Sequence, residues 1–74
     1  MKVSIEYCGM WNYLPNASSL EGELISRYDN IDVTLIEGSG GIFDVYFNDK
    51  LIFSKKILKR FPSKGEIIDL INEK

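Results

Sequence analysis

Seventy-four residues make one domain, residues 1–74, with no room for a second, and a chain this short buries only about 60 to 65% of its unfolded surface. An apolar content of 45%, including four Phe, four Tyr and one Trp, is ample for one core, which excludes a disordered tail or a linker. Nine basic residues against eleven acidic ones, a net charge of −2, lack the basic surplus of a domain that neutralises phosphates, so no nucleic-acid partner is expected.

Val3, Ile5 and Tyr7 alternate with Lys2, Ser4 and Glu6, the period of a strand with one buried face, and this strand ends at Cys8. Glu6 interrupts the apolar stretch that a secretory signal needs, and no run approaches the length of a membrane span. A cytoplasmic protein with no membrane partner is expected. Asn12 is the expected N-cap of a first helix, with Pro15 in its first turn, where a missing N–H costs nothing. Ala17, Leu20, Leu24 and Tyr28 then recur at spacings of three and four with Ile25 beside them, and Asp29-Asn30 stops the helix. The sequon Asn16-Ala17-Ser18 carries no meaning without a secretory route.

Ile31, Val33 and Leu35 alternate with Asp32 and Thr34 in a second strand, followed by the flexible turn Gly38-Ser39-Gly40-Gly41. Residues 42–47 and 50–54 are β-branched or aromatic runs, and Asn48-Asp49 between them accepts the positive φ of a hairpin turn. Ser63-Lys64-Gly65-Glu66 has the form of a capping box, and a last helix is expected from about Lys64 to the C-terminus. The order β-α-β-β-β-α, with a helix as the right-handed crossover between parallel strands, predicts an α+β fold: a four-stranded mixed sheet with two helices on one face.

The chemistry-bearing residues are few. Cys8 is the only cysteine, so no disulfide can form within the chain, and the absence of histidine removes Cys/His nucleophile pairs and His-based metal sites. No metal and no cofactor are expected. The glycine turn has neither a following helix nor the Lys of a phosphate-binding loop, and reads as a structural turn beside Cys8. Lys55, Lys56, Lys59 and Arg60 form the one local basic cluster, either a solvated face or an attractor for an anionic thiol. Trp11 either covers the thiol, joins Met10 and Tyr13 as an anchor for a protein partner, or fills volume at the sheet edge.

Four segments in this order resemble the selenoprotein W, T and H family of small thioredoxin-like redox proteins: Tyr7-Cys8-Gly9, Gly38 to Val45, Leu51 to Lys56, and Arg60-Phe61-Pro62. The resemblance runs from about Val3 to Ile71. The family motif pairs a cysteine with a second cysteine or a selenocysteine three residues on; its first position maps onto Cys8 and its second onto Trp11. The resemblance therefore implies a thioredoxin-like fold and a site made of Cys8, Gly9, Met10, Trp11, Tyr13, Gly40 and Gly41. Near the start of a helix, Cys8 is expected to feel unpaired N–H groups that favour the thiolate. Its expected work is a mixed disulfide with glutathione or a protein thiol. The alternative is a non-catalytic binding module around Met10, Trp11 and Tyr13, or a carrier of sulfur or selenium on Cys8. Whether the chain is an enzyme stays open at this point.

Overall fold

A computed structural model describes residues 1–73. Its elements are β1 (Lys2–Cys8), α1 (Leu14–Arg27), β2 (Asp32–Gly38), β3 (Phe43–Phe47), β4 (Lys50–Ser54), α2 (Lys55–Leu58) and α3 (Glu66–Asn72). The four strands form one sheet in the order β2-β1-β3-β4. β1 pairs parallel to β2, with Val3 opposite Val33 and Cys8 opposite Gly38. It pairs antiparallel to β3, with Ile5 opposite Val45. The parallel pair requires a crossover, which α1 supplies. The sheet is mixed and the fold α+β, as the order of elements predicts.

Burial follows the period of two. Val3, Ile5, Phe43, Val45 and Phe53 point to the covered face, where Ala17, Leu20 and Leu24 of α1 and Ile67 and Ile71 of α3 meet them in one cluster. Each fully buried side chain of this size contributes about 1.5–3 kcal/mol. The two helices are also tied to one another: Tyr28 donates its hydroxyl to Asn72 Oδ1 at 2.9 Å. The β3–β4 turn has φ 49° at Asn48 and 70° at Asp49, the positive pair that a two-residue hairpin turn demands.

Several local expectations need correction. The N-cap of α1 is Tyr13, without a side-chain cap; Asn12, at φ 61°, is spent on the turn that precedes the helix. Ile25 is 54% exposed, because it sits off the stripe that faces the sheet. Gly38 belongs to β2, since its carbonyl is still paired across the ladder. A one-turn helix, α2, follows β4 directly and closes at Lys59 in the left-handed region, φ 64°. The last helix starts at Glu66 rather than Lys64, after Gly65 at φ 82°. Only half of the capping box forms there: the Ser63 N–H donates to Glu66 Oε1 at 2.9 Å, and the Ser63 hydroxyl caps nothing. The expected run of this helix to Lys74 lies outside the described residues.

Candidate functional site

The C-terminal end of β1 is held from both sides by the loop that joins β2 to β3. The Cys8 N–H donates to the Ile42 carbonyl at 2.8 Å, and the Gly9 N–H to the Gly38 carbonyl at 3.3 Å. The chain then coils. Asn12 N–H reaches the Gly9 carbonyl at 3.1 Å and Tyr13 N–H the Cys8 carbonyl at 3.0 Å. This coil brings the Trp11 N–H to 3.4 Å from Cys8 Sγ. α1 begins only at Leu14, so the donor facing the sulfur comes from the loop and not from the first turn of the helix. Cys8 itself is fully buried.

Three glycines have side-chain atoms within 3.0 Å of where a Cβ would stand. At Gly9 the neighbour is the end of the exposed Glu37 side chain, which can swing aside; at Gly38 it is Glu6 and Ile42; and at Gly41 it is Trp11 Cζ3, at 2.6 Å. Gly40 differs: its φ of 73° favours glycine, yet no heavy atom stands within 4 Å of where its Cβ would be. Cys8, Gly9, Trp11, Tyr13 and Gly41 are thus brought together, while Met10 is 89% exposed.

Aromatic contacts extend the site away from the sulfur. Trp11 meets Tyr13 edge-on at 6.1 Å, Tyr13 meets Phe61 at 4.8 Å, and Phe61 meets the buried Phe43 at 5.2 Å. Lys55 Nζ lies 5.4 Å from the Tyr13 ring centre and 5.1 Å from that of Phe61. Lys55 and Phe61 are the residues that reasoning on the sequence left out of the site. Their signal was present in Arg60-Phe61-Pro62 and in the basic cluster, but nothing in a linear pattern separates Lys55 from its neighbours. The remaining cations of the cluster behave differently. Arg60 makes a two-pronged contact with Glu66 at 2.7 and 2.8 Å, which holds the Glu66 carboxyl down at about 2. Lys56 and Lys59 are exposed.

On the far side of Phe61 a groove of about 620 Å³ runs between α1 and residues 61–64, floored by Leu20, Phe43 and Phe61. Among the described residues no group of three or more Cys, Asp or Glu side chains is placed to hold a metal ion, and no helix is long and apolar enough to cross a membrane.

Comparison with known proteins places this geometry in a family. The model of the Rdx family matches residues 2–73. A crystal structure of a selenoprotein W-related protein from Vibrio cholerae superposes with a TM-score of 0.92 at 24% identity, covering 97% of this chain and 92% of that one. A Bordetella parapertussis protein superposes equally well, TM-score 0.92 at 23% identity, over 97% of this chain and 94% of its own. No curated protein sequence matches the chain.

Proposed function

Because this chain belongs to the Rdx family, the selenoprotein W-related group, we propose that it is a cytoplasmic redox protein working through the single thiol of Cys8. The observation that carries the reading is the Trp11 N–H directed at Cys8 Sγ at 3.4 Å. A backbone N–H in that position is a hydrogen-bond donor to the sulfur and fixes it against the turn of residues 9–13. The reaction is thiol–disulfide exchange. The Cys8 thiolate attacks one sulfur of a disulfide substrate, the Cys8–S–S bond forms, and the substrate's S–S bond breaks. The departing thiolate takes the electron pair and a proton from water. A second thiol then attacks the substrate sulfur of the mixed disulfide and returns Cys8 as thiolate. The substrate disulfide is the oxidant throughout, so no cofactor enters.

Since Cys8 is buried, exchange requires the loop of residues 9–12 to move off the sulfur. That loop is held by backbone contacts of 3.0 to 3.4 Å, a small set compared with the core. Incubation with glutathione disulfide should add one glutathionyl group to the intact protein, and Cys8→Ser should add none. Absence of the adduct on the wild-type chain under native conditions would sink the reading.

A second reading is favoured by one observation: Met10 at 89%, Trp11 at 59% and Leu14 at 45% exposure put three large apolar side chains in solvent on one loop and the helix it feeds. Such clusters mark protein docking surfaces. In that case the chain is a binding module and Cys8 is packing. The glutathione experiment separates the two.

A further inference from the structure

The four cations after β4 are not equivalent, and the fold singles out one of them. Arg60 is engaged by Glu66, and Lys56 and Lys59 stand in solvent. Lys55 is half-buried, and its ammonium faces the Tyr13 and Phe61 rings. Among the described residues it has no ion pair and no hydrogen-bond acceptor. Ring faces attract the charge but leave the three N–H donors without acceptors.

The sheet places Lys55 two strands away from Cys8, at the same end of the sheet. Asp44 pairs with Glu6 on one side and with Ser54 on the other, so the C-terminal ends of β1 and β4 lie at the same end of the sheet. Cys8 follows Glu6 by two residues and Lys55 follows Ser54 by one. Two strand spacings, about 10 Å, separate them across the sheet. Tyr13 links the two points, since its N–H is bound to the Cys8 carbonyl and its ring carries Lys55.

We infer that Lys55 is an anion-binding residue of the thiol site, taking the carboxylate of a small peptide thiol or disulfide whose sulfur lies at Cys8. The inference rests on the thiol reading for its choice of ligand, but the anion site can be tested without any reaction at sulfur. A tripeptide thiol spans the distance, and its carboxylate supplies the acceptors that the rings do not. Tyr13 and Phe61 are positioning residues, holding the ammonium in place.

The test uses S-methylglutathione, which cannot exchange, titrated into the full chain with the fluorescence of Trp11, its one tryptophan, as readout. Wild type should bind saturably and more weakly as salt rises. Lys55→Met should weaken binding roughly three- to ten-fold, Lys55→Arg should restore most of it, and Lys56→Met should not change it. No saturable binding to wild type, or equal losses in Lys55→Met and Lys56→Met, overturns the site. The salt dependence of the wild type keeps the test informative should Lys55→Met fail to fold. Reaction of the wild type with the uncharged 2-hydroxyethyl disulfide reports on Cys8 separately: if that fails while S-methylglutathione binds, the thiol reading falls and the anion site stands.

Discussion

The indole of Trp11 fills the space that a side chain on Gly41 would need, with Cζ3 2.6 Å from the Cβ position. Gly40, its neighbour, shares the positive φ and touches nothing there. Alanine at either position should cost about 1 kcal/mol for the left-handed backbone. Only Gly41→Ala should also displace the ring, shifting the Trp11 emission maximum and changing the iodoacetamide labelling rate of Cys8 several-fold. Identical spectra and labelling rates for the two variants would show that the ring contact has no bearing on the thiol.

Trp11 stands three residues after Cys8, where the sequence resemblance would put the second cysteine or selenocysteine of the family motif. With its backbone N–H 3.4 Å from Cys8 Sγ, the loop already has the tight turn that brings residues three apart together. Trp11→Cys should therefore close an internal disulfide on mild oxidation, read as a mass lower by two hydrogens and the loss of both free thiols. Formation of intermolecular dimers in its place would mean that the two Cβ atoms diverge.

The sheet was legible because its signals are local and redundant. The alternation at Val3, Ile5 and Tyr7 and the Asn48-Asp49 turn each dictate their own structure, and their order leaves few topologies. Asn12 shows where such reading stops. It is a favourable cap residue in isolation, but the turn that carries Trp11 to the sulfur needs a positive φ there, and a tertiary demand overrode the local one. α2 was missed because four residues between a strand and a left-handed Lys59 carry no periodicity. At the site, Cys8 could be named from the sequence, whereas its burial could not: it depends on tertiary contacts around the end of β1 and the coil that follows it. Lys55 was hidden among equals until the ladder placed it near Tyr13.

Glu66 makes a pH-dependent contribution to stability. Its carboxyl is held at about 2, against an ordinary 4.5, first by the hydrogen bond from Arg60 and then by the Ser63 N–H. A depressed carboxyl stabilises the folded state at pH values above its unfolded pKa and loses that contribution as pH falls toward the folded one. Glu66→Gln should therefore lower the urea midpoint at pH 7, and its deficit relative to wild type should shrink between about pH 4.5 and pH 2. The Arg60 side chain is 49% exposed, so salt should diminish the effect. A deficit that stayed constant down to pH 2 would mean that Gln disturbs packing and that charge plays no part.

Glu23 ties α1 to the start of α3: its Oε2 accepts the Gly65 N–H at 2.7 Å in a partly buried setting. Gly65 is the N-cap of a helix with no side-chain cap of its own, so this carboxylate satisfies a backbone N–H at the N-terminal end of α3 and adds to the negative charge of Glu66 and Asp69 in its first turn. Removing it leaves a donor without its partner, at a cost of about 1–2 kcal/mol. Alanine returns a few tenths of that through better helix propensity in α1. Glu23→Ala should thus lower the urea midpoint and speed hydrogen exchange at Gly65, while Glu23→Gln, which keeps an acceptor but not the charge, should lose less than half as much. Both losses should be absent from the α1 amides around Leu20, which belong to the core. Unchanged exchange at Gly65 in Glu23→Ala would mean that the two helices are joined by Tyr28 and Asn72 and the apolar cluster alone.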